Sequence, residues 1–306
     1  MKKEYSVLMS VYQKENPEYF RAALSSIFHQ TVPPTEVVLV CDGPLTDALN
    51  KVVSEYESCY SKDTLRSART DLDDRVTSDE KLDITETVFR VVRLAKNGGL
   101  GKALNEGLRH CTCEWIARMD TDDLAAPDRC EKQLKYLERH PDVDVLSGTI
   151  AEFQGDALDV QAAEKVVTSY KTVPQTPEEI FRYIKQRNPI NHPCVMFKKS
   201  SVELSGGYQP CPYFEDYDLW VRMYRDQAVL ANLSDTLLYM RVNGMHQRRG
   251  GIQYAKYIVE FRMKMYRYQV ITFGEFLPMT VARVLVSLMP NGVRKYLYDK
   301  KLRKYK

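Results

Sequence analysis

Over its first 123 residues the chain alternates two patterns. Apolar runs of strand length, YSVLMSV (5–11), EVVLVC (36–41), VFRVVRL (88–94) and EWIARM (114–119), are separated by segments with apolar residues at helical spacing, 16–28, 47–56 and 100–110. Runs buried on both faces and joined by helices require right-handed crossovers, which predicts an α/β fold with a mainly parallel sheet and helices on both sides. Ligands of such sheets sit beyond the carboxyl ends of the strands. Three runs close on polar clusters at that end: 10–15, Asp42-Gly43 and Asp120-Thr121-Asp122-Asp123. The second half is less regular, with strands expected at 143–153, 194–198 and 237–242 and helices at 177–186 and 217–224. Residues 57–83 are charged, serine-rich and aperiodic, which reads as a surface insertion.

The acidic cluster at 120–123 supplies hard oxygen ligands, the donor type that Mg²⁺ or Mn²⁺ takes when it neutralises a diphosphate. The bland alternative is an Asp-rich turn capping the next helix, a role that suits Asp123. Asn97-Gly98-Gly99-Leu100-Gly101-Lys102 opens a helix with glycines, an arrangement whose amides suit a phosphate, although its spacing is not that of a P-loop. Phe214-Glu215-Asp216-Tyr217-Asp218-Leu219-Trp220 places three acids at a helix start, where dipole-complementing caps are the ordinary reading.

Taken in order, these blocks resemble glycosyltransferase family 2. SVLMSVYQKENPEYFRAALSSIFHQT looks like the family's opening strand and helix, EVVLVCDGPLTD like its second strand, and RLAKNGGLGKALNEGLRHCTCEWIARMDTDDLAAPDRCEKQLKYL like its central block. The resemblance spans roughly residues 4–245. It implies a GT-A fold and an inverting transfer of a hexose or N-acetylhexosamine from a UDP-sugar to a glycan hydroxyl. Ser10, Val11, Tyr12 and Glu15 would line the nucleotide, and Asp42 would accept from the uracil imide. Asn97, Gly98 and Lys102 would lie over the sugar nucleotide, and Arg118 would orient the diphosphate or Asp120. Asp120 would serve ribose or metal, Asp122 would be the principal metal ligand, and Asp216 the base, with Glu215 positioning acceptor or base. His192 would approach the acceptor. His246 would complete the metal shell and Arg248 would close over the diphosphate, in a segment that departs from the family's commonest pattern.

The overall charge of +3 conceals an asymmetry: residues 241–306 hold 15 Lys and Arg against 3 acids, a net of +12, leaving −9 for the rest. Residues 254–273 read as a helix carrying aromatic, Met and basic residues, and 276–290 as an apolar stretch with one Arg, followed by a basic end. The expected organisation is a catalytic domain at 1–245 and a basic helical region at 246–306. That region suits either packing on the catalytic domain or contact with a membrane surface carrying a polyprenyl-diphosphate-linked acceptor. No apolar run reaches spanning length and the N-terminus has no signal-peptide core, so the expected setting is the cytoplasmic face of a membrane. The seven cysteines then read as reduced, with Cys111 and Cys113 as small buried residues. The charge comes with no recognised nucleic-acid module, so nucleic acid is not an expected partner. A sugar nucleotidyltransferase, or a non-catalytic glycan- or lipid-binding protein on the same fold, are the rival readings. The first has no use for Glu215-Asp216.

Overall fold

The computed structural model describes residues 4–60, 87–243, 250–290, 292 and the short strand Lys304–Tyr305. A parallel block forms its first half: β1 (Ser6–Val11) lies between β2 (Glu36–Cys41) and β4 (Trp115–Met119), with β3 (Val88–Arg93) beyond β2. The connecting helices are α1 (Pro17–Phe28), α2 (Asp47–Cys59) and α3 (Leu100–His110). α1 starts where Asn16 accepts from the Glu18 and Tyr19 amides and Pro17 supplies a preset φ. α2 continues to Cys59, three residues into the stretch expected to be insertion; the rest of that stretch lies outside the described residues.

α3 lies hard against the sheet because Gly107 has no side chain. A Cβ there would fall 2.3 Å from Leu8 Cδ1 and 2.8 Å from Val40 Cγ2. We expect Gly107→Ala to cost about 1–3 kcal/mol by overpacking, read as a fall in Tm by calorimetry. An unchanged Tm would mean that Leu8 and Val40 move aside freely.

The second half extends the sheet with mixed directions. β5 (Leu124–Ala125) follows the acidic cluster and precedes α4 (Arg129–Arg139). β6 (Val143–Phe153) pairs in parallel with the long β9 (Val229–Arg241), and β8 (Met196–Lys198) joins β6 to β4 by antiparallel pairing. Only the last part of β9 was expected, and the expected strand at 194–198 begins instead as a 3₁₀ turn, His192–Cys194. α5 (Val160–Lys165), β7 (Val167–Lys171) and α7 (Lys199–Leu204) were not expected; α6 (Pro177–Ile184) and α8 (Glu215–Arg225) were. The Lys304–Tyr305 strand, β10, pairs with β7 at the sheet edge.

Two helices, α9 (Ile252–Arg267) and α10 (Phe273–Leu288), form a hairpin after the sheet. Tyr254, Ile258, Phe261, Met265 and Phe276 join the apolar cluster that holds Leu8, Leu104, Trp220 and Phe197, so the inner face of the hairpin is part of the core. Among the described residues no helix is long and apolar enough to cross a membrane. All seven cysteines are free, and all except Cys59 are buried, Cys111 and Cys113 included.

Candidate functional site

The ends of β1, β2 and β4 bring the three polar clusters into one crevice. Glu15 accepts from Thr121 Oγ1 at 2.9 Å, which ties the loop after β1 to the loop after β4. Arg118, buried at the end of β4, donates both guanidinium nitrogens to Asp120, at 2.8 Å from Nη1 to Oδ2, so this carboxylate is held bidentate at the mouth of the sheet. Beneath it, the buried Arg129 donates to the Arg118 carbonyl at 2.7 Å and to Gln133, whose amide reaches Leu146 O and Cys194 O. This network fixes the acidic loop from inside the protein.

Burial, followed by the charges of Asp120 and Glu15, pushes the Asp122 carboxyl up to about 7. Burial also raises Glu15. Asp123 does not cap α4 as expected. It is buried and its Oδ1 accepts from the Arg241 backbone amide at 3.0 Å, while α4 starts at Asp128 without a side-chain cap. Arg241 itself, at the end of β9, donates to the Asp122 carbonyl at 3.2 Å and lies 3.7 Å over the Tyr19 ring.

Asp42 is buried at the end of β2, and its two oxygens accept from Gly98 N at 2.7 Å and Gly99 N at 3.0 Å. These two amides therefore face Asp42, not outward toward a phosphate. A carboxylate has about four lone-pair positions, so Asp42 retains acceptor capacity. Asn97 donates to the Asp42 carbonyl at 3.2 Å, and Lys102 is exposed on the first turn of α3 beside Gly98. Tyr12 is exposed and Ser10 and Val11 line the end of β1.

On the opposite wall, Glu215 and Asp216 open α8, both half-buried. Asp216 Oδ2 accepts from Asn188 Nδ2 at 2.7 Å and its Oδ1 from the Tyr217 amide at 2.8 Å. The Asn188 carbonyl oxygen accepts from Ile190 N at 3.1 Å, which leaves its NH₂ toward Asp216. Glu215 lies beside Gly101 of α3, and burial followed by Asp216 raises its carboxyl. Tyr208 sits beside Glu215 against α3: a Cβ at Gly101 would lie 3.5 Å from Tyr208 Cβ and 3.9 Å from Glu215 Cγ, and Asn105 clamps the Tyr208 backbone on both sides at 2.7 and 2.8 Å.

His192 is not at the surface of the crevice. It is buried, its Nε2 lies 2.8 Å from Tyr208 Oη, and burial followed by Arg118 holds it well below the usual imidazole range. It therefore sits as a neutral ring behind Tyr208, where a direct acceptor contact was expected. His246 and Arg248 lie outside the described residues. Asn188, Tyr208 and Arg241 were missed as contributors. The one available signal was an arginine closing an apolar strand, which Arg241 shares with Arg118.

Among the described residues no group of three or more His, Cys, Asp or Glu side chains is arranged to hold a metal unaided. Asp120, Asp122 and Glu15 are hard oxygen donors crowded enough to raise Asp122. That donor set fits a divalent cation which takes one or two carboxylates and completes its shell with diphosphate oxygens and water.

Comparison with known proteins agrees with this architecture. The family profile described as Glycosyl transferase family 2 matches residues 72–204. An uncharacterized glycosyltransferase of Haemophilus influenzae is 38% identical over 98% of this chain and 100% of its own length. The amylovoran biosynthesis glycosyltransferase AmsE of Erwinia amylovora is 35% identical over 97% and 98%. An Escherichia coli protein named UDP-Gal:alpha-D-GlcNAc-diphosphoundecaprenol beta-1,3-galactosyltransferase is 32% identical over 99% and 98%. Among solved structures, S. aureus TarS 1-349 in complex with UDP-GlcNAc superposes with a TM-score of 0.63 at 18% identity, covering 97% of this chain and 76% of that one. The fold is the GT-A architecture expected from the sequence.

Proposed function

The chain belongs to glycosyl transferase family 2, and on that footing we propose that it moves a hexose or N-acetylhexosamine from a UDP-sugar to a hydroxyl of a growing, polyprenyl-diphosphate-linked glycan, with inversion, in surface polysaccharide assembly. The observation that carries this reading is a pair of separately held carboxylates, Asp120 fixed by the buried Arg118 at the carboxyl end of β4 and Asp216 fixed by Asn188 and the Tyr217 amide at the start of α8. The E. coli relative is named for UDP-Gal and a diphosphoundecaprenol acceptor, and the TarS complex holds UDP-GlcNAc.

In this reading the nucleotide lies over Ser10, Val11 and Tyr12, and Asp42, held by Gly98 and Gly99, offers its remaining lone pairs to the uracil imide. Lys102 approaches the diphosphate from α3. Asp122 and the Arg118-fixed Asp120 would hold Mn²⁺ or Mg²⁺, with His246 and Arg248 closing the same end; a bound cation would offset charge on the leaving diphosphate. Asp216 takes the proton from the acceptor hydroxyl as its oxygen attacks the anomeric carbon opposite the diphosphate. Glu215 orients the acceptor, and His192 supports the site through Tyr208. A mannosyltransferase of Pyrobaculum calidifontis with GDP-Man and Mn²⁺ bound shares the fold at a TM-score of 0.57, which supports a metal-dependent donor site.

The test is titration calorimetry of UDP with and without Mn²⁺. Metal-dependent binding is expected, and Asp122→Ala should abolish it. The sign of the pH dependence follows from Asp122. With its folded-state pKa near 7, above the usual 3.8, this carboxyl favours the folded protein at low pH and loses that contribution as pH rises through 7. A cation needs the ionised form, so Mn²⁺-dependent affinity should fall about tenfold per pH unit below 7. UDP binding that ignores both metal and Asp122 would remove the reading.

We assign the catalytic domain to residues 1–245 and a membrane-facing role to residues 246–306, on the cytoplasmic face. The outer side of the α9–α10 hairpin supports this: Ile252, Val259, Tyr266, Phe273, Leu277, Val281, Leu285 and Leu288 are eight of the fifteen exposed large apolar side chains described. The residues that follow are rich in Lys and Arg. Binding to phosphatidylglycerol vesicles is expected, with at least a tenfold loss in Leu277→Glu/Leu285→Glu; a wild-type protein that ignores such vesicles would exclude the membrane role.

A further inference from the structure

The turn that follows α6 gathers guanidinium groups without gathering counter-charges. Successive carbonyls there accept from side chains of other elements: Ile184 from the Tyr217 hydroxyl, Lys185 from Arg262 Nη1 at 2.5 Å, and Gln186 from Arg283 Nη1 at 3.1 Å. Arg262 is fully buried, and its other contacts are the Glu275 carbonyl, the Thr280 hydroxyl and the Met265 sulfur, all neutral. Arg283 is half-buried on α10, and its bond to Gln186 is open to solvent. Glu275, whose charge reaches Arg262, is already paired with Lys185 at 2.9 Å.

Arginines bonded to the last carbonyls of a helix are ordinary caps. Capping occupies one of the five N–H donors of Arg283 and leaves four without a protein partner among the described residues. It does not account for two guanidiniums that act on each other and share no carboxylate: burial and the neighbouring Arg283 both lower Arg262 from its usual value. Arg187 adds a further cation. Its amide belongs to the same peptide unit as the Gln186 carbonyl, and among the described residues its side chain has no partner.

Position selects the anion. Asn188, just past Arg187, donates to Asp216 at 2.7 Å. By chain length the Arg283 guanidinium lies within ~15 Å of the Asp216 carboxylate, a separation that a short saccharide spans. On its outer face α10 exposes Leu277, Val281, Leu285 and Leu288 at helical spacing. Free phosphate would answer to the arginines and leave that stripe unused; an uncharged alkyl chain would do the reverse. An amphiphile with a diphosphate head answers to both, and the guanidinium fork matches its oxygens.

We propose that Arg283 and Arg187, backed by Arg262, form the seat for the diphosphate of the lipid-linked acceptor. The first sugars of the glycan then run from this seat toward Asp216, while the polyprenyl chain follows the outer face of α10. The seat rests on the acceptor class given above, and on neither the donor sugar nor the identity of the base.

The probe is farnesyl diphosphate in a neutral detergent with EDTA, titrated calorimetrically into the full chain; EDTA keeps a diphosphate from entering the donor site through a metal. The wild type should bind it, and should bind farnesol or phosphatidylglycerol in the same micelles about tenfold more weakly or worse. Arg283→Met and Arg187→Met should each weaken farnesyl diphosphate by about tenfold or more, the loss of a hydrogen bond to a charged group. Their Mn²⁺-dependent UDP binding, the mark of an intact fold, should stay within about twofold, and Asp122→Ala should bind farnesyl diphosphate as the wild type does. A wild type that ignores farnesyl diphosphate would overturn the seat and the acceptor class together. Equal binding by the wild type and either arginine variant, or binding lost in Asp122→Ala, would overturn the seat and leave the acceptor class standing. Farnesol or phosphatidylglycerol bound as tightly as farnesyl diphosphate would replace the seat with a general lipid contact.

Discussion

Asp216→Asn should lower kcat by ~10²–10⁴-fold, the range expected when a positioned general base is lost, while UDP affinity stays within about twofold. The separation follows from the geometry. Asp216 is on the α8 wall, bonded to Asn188 and the Tyr217 amide, whereas the residues assigned to the nucleotide are on the β1, β2 and β4 ends. Asn188→Leu keeps the carboxylate but frees it to rotate, so we expect a smaller drop in kcat, about tenfold, with UDP binding unchanged. Calorimetry for UDP beside initial rates for transfer makes the distinction. An Asp216→Asn enzyme with wild-type kcat would move the base elsewhere, Glu215 being the nearest carboxylate.

The largest stability effect should come from Asp218, two residues further along α8. It is fully buried and shared between Arg222, at 2.9 Å, and Lys264 of α9, at 2.8 Å. Arg222 also donates to the carbonyls of Ser205 and Gly207, just before Tyr208. Asp218→Ala leaves a buried guanidinium without its counter-charge, which costs about 3–5 kcal/mol. For a chain that is stable by only ~5–15 kcal/mol, that is a large share. Thermal melts should show a fall of several degrees or outright insolubility. Asp218→Ala/Arg222→Met, which removes both charges, should recover part of the loss. Equal melting of single and double variants would show that the pair contributes little.

Elements buried on both faces were legible in the sequence. β2, six consecutive apolar or buried positions, and α3, with its glycine opening, have the ends expected of them. The first part of β9 was not, because Asn232, Ser234 and Asp235 interrupt its apolar pattern. Asn232 is nevertheless buried, with its amide bonded to Pro174 and Pro189 carbonyls supplied by distant segments. The same limit applies at the site. Asp120, Asp122 and Asp216 sit in recognisable local patterns, but Asn188 acquires its meaning from a carboxylate 28 residues away and Tyr208 from Asn105, 103 residues away, and the buried His192. His192 shows the converse limit: its loop is recognisable and implies a direct approach to the acceptor, and only packing against Tyr208 and Trp220 reveals that the ring is interior.

The position of Arg241 bears on how the protein reaches its folded state. The acidic loop after β4 is completed by a residue about 120 positions later, and β4 itself is flanked by β1 on one side and β8 on the other. Such pairings carry a high loop-closure cost and form late. The first 125 residues hold most of the groups assigned to the nucleotide, yet they should not behave as a self-sufficient folding unit. Donor-site assembly should appear in refolding kinetics as a late, single phase, coincident with docking of the second half of the chain.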